Sequence, residues 1–149
     1  LECVRFIKRI AHQTEKYRTL GYEDKLIAST DWQHLGVAAK SIAQSIKADG
    51  IIAITRSGST AEIVSNAKPF KTPIFAFSNN RKTLKHLALA GSVNGYYAVM
   101  SKNHEKNISS ILKFLRRELK PIEPMKFVVI SGLLSEISAD AIEIRHLKP

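Results

Sequence analysis

The stretch Ile51-Ile52-Ala53-Ile54-Thr55-Arg56-Ser57-Gly58-Ser59-Thr60-Ala61-Glu62 joins an apolar run to a turn that carries four hydroxyls, one guanidinium and one glycine within six residues. That composition suits an oxyanion. If a helix starts directly after the turn, its first N–H groups lack intrahelical partners and converge where the helix dipole favours negative charge. Thr55, Ser57, Ser59 and Thr60 add hydroxyl donors, Gly58 lets the backbone come close, and Arg56 supplies a bidentate cation. Four such bonds, at about 1.5–3 kcal/mol each, would hold a monophosphate in the millimolar to micromolar range after association costs. A competing reading exists. Ser59 and Glu62 have the spacing of a capping box, in which the helix start satisfies itself and an inward Glu62 would repel an anion. The hydroxyls, the glycine and the arginine together exceed what capping needs. The second Gly and the Lys of a P-loop are missing, so nucleoside triphosphate chemistry is not implied.

Other chemistry-bearing residues are scattered. The five histidines, at 12, 34, 86, 104 and 146, never pair with each other or with a cysteine at ligand spacing, so no metal site is expected. His104-Glu105 does not open an HExxH, because Ile108 occupies the second His position. Cys3 has no evident activating neighbour, and Trp32, near a helix start, reads as packing. Neither paired carboxylates nor a nucleophile elbow occur, so no catalytic residue is assigned.

The elements that must position the turn follow from periodicity. Residues 2 to 18 place Val4, Ile7, Ile10 or Ala11, Thr14 and Tyr17 on one helical stripe, the pattern of an amphipathic helix packed on something. Gly21 to Ser29 reads as linker. Thr30 opens a second helix with Gln33 completing a capping box, and Leu35, Ala38, Ala39, Ile42 and Ile46 form its buried face. The period then changes. Ile51 to Thr55, Ile74 to Phe77, Val93 to Met100 and Phe127 to Ser131 read as strands, the first and last of them covered on both faces. Helices are predicted over 59–68, 81–90 and 104–120, and 142–147 reads as an edge strand with one wet face. Alternating strands and helices require right-handed crossovers and a parallel sheet between helical layers, which binds ligands at the carboxyl ends of its strands.

Composition bounds the rest. A chain of 149 residues with 44% hydrophobic residues fits one domain that needs neither disulfide nor metal to hold its core. Its lone cysteine points to a reducing compartment. No apolar run reaches the length of about 18 residues that would suggest a membrane span. The net charge of +10 favours anionic partners, yet basic residues are spread from Arg5 to Lys148 without a block or an interleaved aromatic platform. A nucleic-acid module therefore ranks last among the readings. The start at Leu1, inside a predicted helix, suggests an excised fragment or an incomplete chain.

At this level the residues resemble the C-terminal regulatory domain of pyruvate kinase. Ile51 to Lys68 with Pro69 and Pro73-Ile74 is similar to that family's strand, S-G-R-T-A-like turn, helix and K-x-R-P…P-I pattern. Ala76 to Leu89 resembles its V-T-R-N…T-A-R…L segment, and Lys126 to Leu147 its closing pair of strands. The resemblance implies an α/β fold: a three-layer α/β/α sandwich with a five-stranded mixed sheet and the last strand antiparallel. It implies a helix at 1–20 belonging to the end of an upstream barrel domain or linker, and a regulatory domain over 21–149. It further implies effector phosphate binding at Thr55, Arg56, Ser57, Gly58, Ser59 and Thr60, with no catalysis by this chain alone. Magnesium and potassium belong to the absent catalytic domain, so no cofactor is expected here. Implied partners are a phosphorylated small-molecule effector, the remainder of a cytoplasmic pyruvate kinase of glycolysis, and other copies through the C-terminal edge strand. Neither a membrane nor a nucleic acid is an expected partner. The loop Gly132 to Ala139 is apolar and acidic, which favours a monophosphate or inorganic anion over fructose 1,6-bisphosphate in its usual pose. Thr55 to Glu62 also looks like the S-x-S-G-x-T-x-E turn of sugar isomerase domains, which fits Glu62 better. That family is expected to finish with a helix rather than a pair of strands.

Overall fold

β-branched and aromatic side chains crowd a helix but fit a pleated surface, so the short apolar runs form strands. The computed structural model describes residues 2–14, 28–131 and 141–149. Its sheet consists of β1 (Gly50–Ile54), β2 (Ile74–Ser78), β3 (Val93–Tyr97), β4 (Met125–Ser131) and β5 (Ala141–Leu147), in the order β3-β2-β1-β4-β5. β1 lies parallel to β2 and β4, β2 parallel to β3, and β5 antiparallel to β4. The five-stranded mixed sheet with an antiparallel last strand is as expected from the sequence.

The helices are α1 (Glu2–Thr14), α2 (Asp31–Ser45), α3 (Ser59–Asn66), α4 (Arg81–Leu87) and α5 (His104–Leu119). Alternation along the strands divides the apolar residues between two cores. Ile51, Ala53, Ile74, Ala76, Val128 and Ile130 pack with Ala39, Ala43, Ala61, Val64 and Leu87 of α2, α3 and α4. Ile52, Phe75, Phe77, Phe127 and Val129 pack with Ile108, Ile111 and Leu115 of α5. Three layers result. Helices α3 and α4 carry the chain outward from β1 to β3, whereas α5 returns it across the sheet to β4. Right-handed crossovers then put α5 on the opposite face and make the strand order reverse between β1 and β4. Close packing of α2 on α3 needs Gly36, because a Cβ there would stand 2.3 Å from Ile63 Cγ2.

Several boundaries differ from the periodicity for local reasons. Helix α3 ends at Asn66 rather than 68, because Lys68 turns into the left-handed region at φ 50° just before Pro69, which has no N–H to continue the helix. Helix α4 ends at Leu87 rather than 90. Its last turn tightens into Leu89 N–H to His86 O and Ala90 N–H to Leu87 O, at 3.2 and 3.0 Å. The third strand stops at Tyr97. The predicted box at α2 is displaced by one residue. Gln33 Oε1 accepts from the N–H and hydroxyl of Ser29, at 2.9 and 3.1 Å, while the N-cap Thr30 makes no side-chain cap bond and its buried Oγ1 has no partner. The expected linker at 21–27 lies outside the described residues.

Helix α1 is amphipathic as predicted, but none of its described residues is buried, and Val4, Ile7 and Ile10 are exposed. Trp32 is likewise exposed rather than packed.

Edge strand β5 has one wetter face, but Ile144 and His146 lie on it rather than Glu143 and Arg145. Glu143 and Arg145 face the start of α5, where Glu143 meets His104 and Arg145, and Arg145 grips Glu105 at 2.7 and 3.2 Å. Burial pushes the Glu143 carboxyl upward, but hydrogen bonds from His104 and Arg145 outweigh it and leave the carboxyl below its ordinary 4.5.

Candidate functional site

Thr55 continues β1 by one residue, its N–H donating to Phe77 O at 3.0 Å, and then the chain turns. The Thr55 hydroxyl accepts the Gly58 N–H at 2.9 Å across the bend, which fixes the loop from inside. Gly58 sits at φ 105°, and a Cβ there would meet Thr83 Cγ2 at 3.3 Å, so both conformation and space call for glycine. The outer wall is tied to the neighbouring element. Arg56 O accepts the Thr83 hydroxyl at 2.9 Å and the Ser78 hydroxyl at 3.4 Å.

Helix α3 starts at Ser59 with Gly58 as its N-cap and no side-chain cap bond. The Ser59 N–H reaches Ser57 Oγ only at 3.4 Å, and the two serine hydroxyls stand 3.0 Å apart. Thr60 and Ala61 are the second and third helical residues, whose N–H groups have no partner within a helix. Thr60 is 4% exposed. Its hydroxyl has no hydrogen-bond partner among the described residues.

The predicted capping box does not form. With Gly58 as the cap, Ser59 is already inside the helix, and Glu62 lies one position too far along to reach back. Instead the Glu62 carboxylate pairs with His86 Nε2 of α4 at 2.9 Å, outside the bend. The repelling group is thereby held by a neighbour.

All six predicted residues are contiguous on this bend, with Thr55, Gly58 and Thr60 buried and Arg56 and Ser57 exposed. Ser78, Thr83 and His86 position it and are not identified by the sequence reading, which treats them as a strand end and a helix face. Their only signal is a hydroxyl at the end of β2 and a polar residue on the buried side of α4. Ser131 is a further addition. It closes β4 opposite Ile54, is 1% exposed, and its Oγ has no partner. The bend and Ser131 thus flank the point where the strand order reverses, where open α/β sheets bind ligands. The loop 132–139 lies outside the described residues. Among the described residues no group of three or more His, Cys, Asp and Glu side chains is placed to hold a metal. No described helix is long and apolar enough to cross a membrane.

Comparison with known proteins agrees with this architecture. Residues 33–144 match the family model described as pyruvate kinase, alpha/beta domain. The chain belongs to this family. It is 26% identical over 137 residues to the pyruvate kinase of Thermoplasma acidophilum, covering 89% of this chain and 24% of that enzyme. It is 30% identical over 112 residues to pyruvate kinase of Agrobacterium vitis, covering 72% of this chain and 23% of that enzyme. With plastidial pyruvate kinase 3 of Arabidopsis thaliana the identity is 31% over 102 residues, 66% of this chain and 18% of the relative. The chain therefore spans about a quarter or less of these relatives. The antiparallel β4–β5 pair fits the pyruvate kinase alpha/beta domain and not the helical finish expected of a sugar isomerase domain.

Proposed function

We propose that this pyruvate kinase alpha/beta domain is a regulatory module that binds a phosphorylated small molecule at Thr55–Thr60 and does not transfer phosphate by itself. The observation that carries the reading is a helix start left open: the cap makes no side-chain bond, and Glu62 is turned toward His86. The donors of that helix start surround a position where the α3 dipole favours negative charge, and Arg56 adds a cation at the rim.

In this reading residues 1–20 connect to an upstream catalytic barrel, which supplies the metal ions and the glycolytic phosphotransfer of a cytoplasmic enzyme. The exposed apolar stripe of α1 supports that connection. Effector binding at the bend biases how copies pack through β5, with a coupling of about 1–3 kcal/mol. The edge position of β5 and its half-exposed Ile144 support the contact.

Calorimetric titration with sugar monophosphates, sugar bisphosphates, AMP and sulfate tests the reading. Saturable binding of a phosphorylated compound that is lost in Ser57→Ala and Thr60→Ala is the expected result. Equal binding by both variants removes the assigned site.

A further inference from the structure

At the opposite end of the sheet, one length of β1 or about 16 Å from the bend, a cleft of about 510 Å³ opens between the end of α2 and the segment that leads into β2. Ala43, Ala48 and the half-exposed ring of Phe70 line it with apolar surface, and Gln44, Lys47, Lys71 and Thr72 provide its polar groups. Such a volume falls within the range of small-ligand sites. Neither Lys47 nor Lys71 has a carboxylate partner among the described residues. The Lys71 ammonium lies 5.2 Å from the centre of the Phe70 ring, which keeps it at the cleft.

Both lysines occupy backbone positions that favour glycine, with φ 53° at Lys47 and 56° at Lys71. Lys47 closes α2 in a Schellman arrangement, with Lys47 N–H to Gln44 O at 3.3 Å and Ala48 N–H to Ala43 O at 2.8 Å. The helix C-terminus accounts for a cation at 47. It does not account for Lys71, which lies in the Pro69–Thr72 turn, five residues beyond the end of α3. The cleft therefore combines apolar surface, a side-chain amide and two cations that have no carboxylate partner among the described residues.

We propose that this cleft is a second ligand site, distinct from the bend at 55–60, for a small organic anion with a flat apolar face, of the class of aryl phosphates and aryl carboxylates. The ring would lie against Phe70, Ala43 and Ala48, and the anionic group between the Lys47 and Lys71 ammoniums.

The test is an NMR titration of the ¹⁵N-labelled 149-residue chain with phenyl phosphate, benzoate, benzyl alcohol and inorganic phosphate. Phenyl phosphate and benzoate should shift the amides of Gln44, Ala48 and Thr72 saturably. Benzyl alcohol, which lacks the charge, and inorganic phosphate, which lacks the ring, should bind more weakly there. Lys47→Gly and Lys71→Asn suit their left-handed positions, so they should fold as well as the parent, with unchanged or raised unfolding midpoints. Each should weaken phenyl phosphate about two- to fivefold, and Lys47→Arg should retain it. Unchanged affinity in the Lys47→Gly, Lys71→Asn double variant overturns the proposal. So does benzyl alcohol or inorganic phosphate binding as tightly as phenyl phosphate, or shifts confined to residues 55–61.

Discussion

The two ends of the sheet both carry groups that can meet an anion, but the groups differ in kind. At the carboxyl end of β1 they are backbone N–H groups and short hydroxyls, held by Gly58 at φ 105° and by the clasp of Thr83 and Ser78 on Arg56 O. At the amino end they are ammoniums on flexible stems, at Lys47, Lys68 and Lys71, all with positive φ. Glycine stands at the bend, where a Cβ would meet Thr83 and Leu87, and lysine stands at the amino end, where the strain of a left-handed residue is tolerated. The first arrangement is preorganised and sensitive to geometry. The second adapts and is sensitive to charge and salt.

Substitutions at the two ends should therefore behave oppositely. The largest effect is expected for Gly58→Ala, which sets a Cβ at 3.3 Å from Thr83 Cγ2 in a left-handed residue. It should destabilise the domain by about 1–3 kcal/mol in urea denaturation and abolish phosphate binding. Next comes Thr60→Val. Because the Thr60 hydroxyl makes no protein hydrogen bond among the described residues, stability should hold within about 0.5 kcal/mol while phosphate affinity falls about tenfold or more. A loss of stability instead would mean that the hydroxyl is structural.

Glu143 gives a pH-dependent effect of intermediate size. Its folded-state carboxyl titrates below the ordinary 4.5. The pairing with His104 and Arg145 is thus fully stabilising above that value and is lost as the pH falls through the lowered one. Unfolding midpoints measured from neutral pH down into the acid range should decline below about 4.5, and Glu143→Gln should flatten part of that decline. The smallest effect is expected for Lys47→Gly, which should raise stability by about 0.5–1 kcal/mol in the same denaturation assay by relieving the left-handed residue. If Gly58→Ala proved milder than Lys47→Gly, the contrast between the two ends would fail.

Much of this architecture was legible in the residues. The uninterrupted apolar runs at 51–54 and 127–130 identify central strands, and Leu35, Ala39 and Ile42 identify the face of α2 that packs on the first core. The bend was legible because its hydroxyls are contiguous. Its support was not, since Thr83 and Ser78 meet Arg56 O from 27 and 22 residues away, a pairing that only the crossover through β2 creates. Local rules misled at Glu62 and Gln33 for a related reason. A capping box presumes which residue is the cap, and in both helices the cap sits one residue away from the position the spacing suggests or the side chain bonds elsewhere. The β5 face was misread because alternation reports polarity. It cannot report that Glu143 and Arg145 are packed beneath His104 and Glu105.

The most direct measurement is the amide spectrum of the labelled chain during titration with a sugar monophosphate. Saturable shifts at Gly58, Ser59, Thr60 and Ala61, abolished by Thr60→Val while the rest of the spectrum stays folded, are the predicted result. Signals at these four residues that remain unmoved at saturating concentrations of phosphorylated sugars, bisphosphates and AMP would contradict an effector site at the end of β1.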